Sequence, residues 1–388
     1  MKEHWLLDPD VIFLNHGSFG ATPRVVLEAQ NAFRRRMEEE PVAFLVRELE
    51  PLLDATRAEL GKFVGASPAD LAFVPNATTA VNAVLRSIDV HSGDELLVTS
   101  HEYNACRNTL DHVAERAGAR VVIVDIPFPI GGPDDVVERI SGAATDRTRL
   151  LLVDHVTSQT ALVFPIDSIV REMQSRGIDT IVDGAHAPGM LPLDLRSLGV
   201  AYYAGNLHKW VCAPKGAALL YVRDDRRSAV HPAITSHGAN SSRTDRSRFH
   251  LEFDWTGTFD PTPWLAVTSA LQFIPSLVEG GWAEVMRRNH ELALRGRDTL
   301  CNALSIEKPA PDVMLGSMAA LPLPDGANET APSLYGDPLQ DALFERFAIE
   351  VPVVPWPGPP KRVLRLSAQL YNQAEEYDVL ANALRTLL

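Results

Sequence analysis

Cysteine is scarce in this 388-residue chain: only Cys106, Cys212 and Cys301 occur, with no CxxC pair and no regular spacing. An odd, sparse set argues against a disulfide framework and suits a reducing compartment. Basic charge is also short, at 36 Lys and Arg against 50 Asp and Glu, a net charge of −14. A chain this acidic is not built to grip a phosphate backbone over a broad surface, so nucleic acid is not an expected partner. Long apolar runs are missing. The most apolar stretches, 121–129 and 150–153, are strand-length and far too short for a bilayer. The N-terminus, MKEHWLLDPDVIFLN, lacks a long apolar core followed by a small-residue cleavage site, so a cytoplasmic, membrane-free protein is expected. Familiar catalytic signatures are absent as well: no GxGxxG after a strand, no GxxxxGK[ST] loop, no GxSxG elbow. His101-Glu102 opens like a zinc helix, but Ala105 stands where HExxH needs its second histidine, and no metal site is expected. No internal repeat is found.

What is present is ordinary for a folded protein with a large core: 46% hydrophobic and 22% charged residues. The length favours two domains. Short β-branched runs at 71–75, 95–99, 120–126, 149–154, 180–183, 201–204 and 217–222 read as strands. Helical patterns at 78–87, 105–117, 133–141 and 167–175 lie between the earlier ones. Two more, 23–39 and 48–64, precede them, with Thr22 expected as the N-cap and Pro23 at the first helical position of the former. Strands recurring about every 25 residues with helices between them predict βαβ crossovers, hence an α/β fold with a mainly parallel seven-stranded sheet and helices on both faces. Ligands of such sheets sit at the carboxyl ends of the strands. From about residue 261 the texture changes. Long helical patterns at 263–278 and 282–305, short strands, proline-rich 351–360 and a last helix at 373–387 predict a smaller C-terminal α+β domain. The expected division is 1–20 as an N-terminal segment at the site entrance, 21–260 as the large domain and 261–388 as the small one. The polar stretch 236–254 reads as a mobile loop.

The chemistry-bearing residues gather at strand ends. In Thr180-Ile-Val-Asp183-Gly-Ala-His186, a carboxylate stands where an apolar strand stops. Alone, Asp183 reads as a turn or cap residue. Tyr203-Ala-Gly-Asn206-Leu-His208-Lys209-Trp210 places a lysine in the loop after another strand, and alone it reads as a solvated side chain. Asn76-Ala77-Thr78-Thr79 follows a strand and opens a helix, a capping motif whose N–H groups and hydroxyls also suit a phosphate. Together they match the needs of pyridoxal 5'-phosphate (PLP): a lysine for the Schiff base, a carboxylate to keep the pyridine nitrogen protonated, and helix N–H groups for the phosphate.

With these motifs in place, the sequence resembles the class V aminotransferase-like, fold-type I PLP enzymes, in the branch that holds isopenicillin N epimerase and cysteine desulfurase-like proteins. The resemblance runs from Phe13-Leu-Asn-His-Gly-Ser-Phe-Gly20 to Arg365-Leu-Ser-Ala-Gln-Leu-Tyr-Asn372. It implies Lys209 as the Schiff-base lysine, Asp183 as the partner of the pyridine nitrogen and His186 near the ring's 3-oxygen. It further implies Ala77, Thr78, Asn206 and His208 at the phosphate, and Tyr103 as the ring stacked on the cofactor. Ser158 stands where many members place an asparagine near the ring oxygen. Gly257-Thr258 matches a stretch that reaches the partner subunit's phosphate, implying a homodimer. Arg365 matches the arginine that grips the substrate carboxylate, a task for its bidentate fork. Asn15 and His16 are expected to line the substrate entrance.

The stretch 351–361 has no cysteine where desulfurases carry their nucleophile, and Tyr103 replaces the desulfurase histidine. Cys106 and Cys212 are expected to be structural. The implied reaction acts at Cα of an amino-acid-type substrate, an epimerase or racemase first, a C–S β-lyase next and an aminotransferase third. A ligand-sensing module is the non-enzymatic reading. The cluster Arg243, Arg246 and Arg248 reads as a solvated surface, with recognition of a distal substrate carboxylate as a second reading.

Overall fold

The sheet-forming segments are short, β-branched and apolar on both sides, as strands covered by helices on two faces must be. Apart from residues 327–335, a computed structural model describes the whole chain. After a two-residue strand β1 (Ile12–Phe13) come β2 (Leu71–Val74), β3 (Glu95–Thr99), β4 (Arg120–Val124), β5 (Thr148–Asp154), β6 (Asp179–Asp183), β7 (Tyr202–Asn206) and β8 (Ala218–Val222). These last seven form one sheet in the order β2-β8-β7-β6-β5-β3-β4. Neighbours from β4 through β7 pair in parallel, and β8 runs antiparallel to both β7 and β2. The fold is the expected one, a fold-type I α/β architecture.

Alternation along each strand divides the core. Phe73, Leu97, Leu151, Val153, Val182, Tyr203 and Leu219 face one way, toward the N-terminal helices and the C-terminal residues. Ala72, Val98, Leu152, Ile181, Ala204 and Leu220 face the other, under the helices Ala77–Ser87 and Asn104–Ala117. This period-2 pattern places Asp154 and Asp183, partners in the β5–β6 register, together on the second face at the carboxyl ends of their strands.

The C-terminal residues build a second, antiparallel sheet from β9 (Met318–Leu323), β11 (Val353–Pro355) and β12 (Arg362–Ser367), in the order β11-β12-β9. The helices Gly281–Leu304 and Ala374–Leu387 pack beside it. Between β9 and β11, β10 (Ile349–Glu350) pairs in parallel with β1 and ties the N-terminal segment to this layer.

Three local expectations change. Thr22 does not cap a helix; its hydroxyl donates to the Ala213 carbonyl at 3.1 Å, and the helix runs Arg24–Glu39 with Pro23 at the cap. Helix 263–278 is two pieces, Thr262–Leu265 and Val267–Ser276. The stretch 236–254 is not a free loop: it forms a 3-10 turn, His237–Asn240, and a helix, Arg248–Phe253, capped by Ser247. Phe249, Leu251 and Phe253 are buried from that helix. Aromatic residues spaced among its polar ones supply the anchor that the polar composition conceals. Among the described residues, no helix is long and apolar enough to cross a membrane.

Candidate active site

At the carboxyl ends of β2, β5, β6 and β7 a cavity of about 530 Å³ opens between the two sheets. It is where ligands of a parallel sheet are held. Ten of the residues singled out in the sequence line it: Ala77, Thr78, Tyr103, Ser158, Asp183, His186, Asn206, His208, Lys209 and Arg365.

Lys209 sits in the connection after β7, where the chain turns back into antiparallel β8. Gly20 lets the N-terminal segment press against that turn: its φ is +69°, and a Cβ there would lie 2.0 Å from the His208 carbonyl oxygen. The Lys209 amine lies 3.1 Å from His186 Nε2. Trp210 Nε1–H donates to His186 Nδ1 at 3.4 Å, so the imidazole proton resides on Nε2 and points at the amine. Burial first, and then the positive charge of Arg365, bring the Lys209 ammonium down to about 7. Burial holds His186 well below its usual range. A neutral lysine near neutrality is a nucleophile and a base.

Asp183 ends β6 with 3% exposure. Its Oδ1 accepts the Ala185 N–H at 2.9 Å and its Oδ2 accepts the Cys106 thiol at 3.2 Å. Burial raises its carboxyl, and these two donors and Lys209 oppose the rise. Gly184 is required just behind it, since a Cβ would meet the Tyr203 ring at 2.2 Å.

At the other end, Asn76 caps the helix Ala77–Ser87 by accepting the Thr79 N–H at 2.8 Å. Asn206 Oδ1 accepts the Ala77 N–H at 2.9 Å. Among the described residues this leaves the Thr78 N–H and hydroxyl, with the helix dipole behind them, for an anion. His208 Nδ1 is held by the Ala217 carbonyl at 2.9 Å, which aims its other nitrogen away from that anchor. Tyr103 is the N-cap residue of Asn104–Ala117 and presents its ring to the same cavity.

Arg365 comes from the middle of β12. It donates to the Ser158 carbonyl at 2.6 Å and to Ser18 Oγ at 2.8 Å.

Asn15, His16 and Thr258 are placed elsewhere. Asn15 Oδ1 accepts from Arg365 at 3.4 Å, and its amide donates to Glu350 at 3.0 Å, so it backs the arginine instead of lining the cavity. His16 is fully buried behind Lys209, with Nε2 3.0 Å from the Lys209 carbonyl and Nδ1 2.8 Å from the Tyr371 hydroxyl. Burial takes His16 down to about 3, so it is neutral. Thr258 lies off this chain's own cavity.

The arginine cluster reaches no substrate pocket among the described residues. Arg243 pairs with Glu50 and Asp245, Arg246 with Asp54 and Asp254, and Arg248 donates to the Gly238 and Ser241 carbonyls. Two residues that the sequence reading did not assign to this site belong to it: Asp154, which lines the cavity, and Glu102, beside Asp183. Asp154 carried the same signal as Asp183, an acid where an apolar strand stops.

A strand-end acid, a half-buried lysine whose proton is lost near neutrality, an open helix N-terminus and an aromatic residue in one cavity are the parts a PLP site needs, and the donor set fits that cofactor. The chain belongs to the aminotransferase class-V family, whose model matches residues 12–329, and with it to the PLP-dependent enzymes. It is 39% identical to isopenicillin N epimerase of Amycolatopsis lactamdurans over 100% of this chain and 97% of that protein. It is 31% identical to a probable chloroplastic L-cysteine desulfhydrase of Arabidopsis thaliana, over 98% of this chain and 84% of that one. Among solved structures, the cystine C–S lyase C-DES superposes with a TM-score of 0.81 at 22% identity, covering 97% of both chains.

Proposed function

We propose that this enzyme is an epimerase or racemase that inverts Cα of an amino-acid-type substrate, in the manner of isopenicillin N epimerase. The observation that carries this reading is the 39% identity to that epimerase over the whole chain, joined to a cavity lined by a half-buried lysine and by Tyr103, which carries an aromatic hydroxyl.

Thr78, Asn206 and His208 would hold the phosphate of PLP, Tyr103 and Asp183 would hold its ring, and Lys209 would be the residue that anchors it covalently. When bound, the cofactor supplies an electron sink for charge developing at Cα. Arg365 would clamp the substrate carboxylate and so orient Cα toward Lys209. Lys209, neutral near pH 7, removes and holds the Cα proton from its side, and His186 Nε2–H steadies the free amine. Inversion needs a second proton donor on the opposite face. His16 does not serve, because both of its nitrogens are engaged behind Lys209. Tyr103 is the candidate. Asn15 and His16 are positioning residues for Arg365 and Lys209. Thr258, lying off its own chain's cavity, suits a homodimer in which it reaches the partner subunit's phosphate.

A C–S β-lyase is the second reading. It is favoured by the likeness to L-cysteine desulfhydrase over nearly the whole chain, and it needs only Lys209 as base. Stretch 351–361 holds no cysteine, which removes a persulfide-forming desulfurase from consideration. The test is incubation of holoenzyme in D₂O with L-amino acids and cysteine conjugates, followed by chiral separation and mass spectrometry. Intact substrate carrying deuterium at Cα, with the D-form appearing, supports the epimerase. Release of pyruvate and a sulfur species replaces it with the lyase. Tyr103→Phe sharpens the choice: exchange at Cα persists while inversion falls in an epimerase, and a lyase loses little.

A further inference from the structure

Asp183 is one of three carboxyl groups buried together under the cavity. Asp154 is its register partner on β5 and is 2% exposed. Glu102, 7% exposed, comes from the turn ahead of Asn104–Ala117, and a carboxylate oxygen of Glu102, Cys106 Sγ and an oxygen of Asp183 all lie within 4.8 Å of one another. Three ionised carboxylates this close and this dry do not coexist without cations.

The surroundings decide which one is charged. The Ala185 N–H and the Cys106 thiol both donate to Asp183. Among the described residues, no side chain donates to either oxygen of Glu102 or to Asp154 Oδ2. The cations nearby are spoken for. Lys209 stabilises charge on Asp183. Arg107, whose charge reaches Glu102, is bonded to Asp111 at 3.0 Å. Arg365 is held by Ser158 and Ser18. The remaining polar neighbours are neutral: burial keeps His155 and His186 uncharged, and the Tyr203 hydroxyl, 2.8 Å from His155 Nδ1, stays protonated. Burial and then neighbouring acids push the Glu102 and Asp154 carboxyls well above the ordinary range.

We propose that Asp154 and Glu102 are positioning residues carried as neutral carboxylic acids that turn their protons toward Asp183, leaving Asp183 the single ionised carboxyl of the cluster opposite the ring nitrogen of the cofactor. This rests on the PLP reading. It gives the buried cluster one negative charge to match one positive ring, and it fills the space around Asp183 with donors in place of water.

Infrared spectroscopy of the holoenzyme, wild type beside Asp154→Asn and Glu102→Gln, tests the proposal, with visible absorbance recorded on the same samples. At pH 7 the wild type should show carboxylic-acid C=O bands that shift in D₂O, and each variant should lose one. Because an amide replaces a neutral acid, the cofactor's dissociation constant should stay within about twofold in both variants. Asp183→Asn should keep both bands and lose cofactor affinity. Absence of any carboxylic-acid band in the wild type would overturn the proposal, and this readout needs no variant to fold. So would a weakening of cofactor binding of about tenfold or more in a folded Asp154→Asn or Glu102→Gln protein, the mark of a lost charge. One equivalent of a divalent cation retained by the purified protein would overturn it too, since Glu102, Cys106 and Asp183 would then be ligands. Missing absorbance after PLP is added would defeat the cofactor reading and this inference with it, whereas missing infrared bands with absorbance intact would defeat this inference alone.

Discussion

Two of the places where the molecule buries charge treat it in opposite ways. On the helix Leu49–Val64, Arg57 is 1% exposed and bonds Asp254 at 2.5 Å and Asp54, one turn back, at 2.6 Å. Arg246 closes on the same two acids at 2.9 and 2.7 Å. Every acid there faces a guanidinium. Under the cavity, Glu102, Asp154 and Asp183 are also buried, and among the described residues no guanidinium is bonded to them. Paired buried charge recovers its desolvation within the fold, and its role is to fix one arrangement of the chain. Acids left without a cation are tolerated where an incoming group completes them, which is why such clusters mark chemistry.

The comparison breaks if the two clusters respond alike to substitution. Asp183→Asn should lower kcat/KM by about 10³-fold, the scale of losing an electrostatic partner aimed at developing charge, with little change in unfolding. Arg57→Ala should do the reverse. Removing the buried guanidinium leaves Asp254 and Asp54 to Arg246 alone and opens a cavity, and should cost about 3 kcal/mol of stability, read by denaturant titration, with kcat per folded molecule unchanged. A stable Arg57→Ala or a collapsed Asp183→Asn would show that pairing does not separate structural from chemical charge in this fold.

Arg365 stands between the two behaviours, being buried and bonded within the protein and yet open to the cavity. Arg365→Lys, which loses the fork, should raise KM for an amino-acid substrate by about 10- to 100-fold, the worth of a charge-assisted bond. Its charge also acts on Lys209. In the wild type, capture of PLP by the apo-protein should quicken as pH rises through about 7, because the amine loses its proton there. Arg365→Met removes a nearby positive charge and should move that midpoint upward, a shift seen by following absorbance against pH. Burial, the larger cause, keeps it below the usual lysine range.

Much of this was legible in the chain. Seven apolar runs set the sheet because strands buried on both faces need no alternation to be recognised, and Asp183 and Lys209 stood out as charges placed where such runs end. Asp154 carried the same signal and passed unnoticed, since a strand-end acid means little until β5 and β6 are paired in register. Glu102 stands in the sequence only as half of a zinc helix that fails, and nothing there joins it to Asp154 and Asp183, which come from strands far along the chain. His16 was misplaced because a histidine beside a glycine in an N-terminal segment suits an entrance as well as a backing position, and only the Gly20 turn pressed on His208 decides between them. The stretch 236–254 looked mobile because its polar residues outnumber its anchors, and ion pairs with Glu50 and Asp54, some 190 residues earlier, are not written in its own composition.

The smallest effect tests the same distinction at the surface. Arg243 is 42% exposed and bonds Glu50 and Asp245 at 2.6 Å. Exposed ion pairs of this kind trade solvent for one another almost evenly. Its guanidinium is also outside the cavity lining. Arg243→Ala should therefore leave the melting temperature within error and KM for a dicarboxylic amino acid within about twofold of wild type, the usual result for a surface substitution. A larger rise in KM, specific to substrates with a distal carboxylate and absent for alanine, would mean that this arginine leaves Glu50 when substrate arrives. Paired charge at the surface would then be a reserve of binding groups, and the division between structural and chemical charge would hold only in the interior.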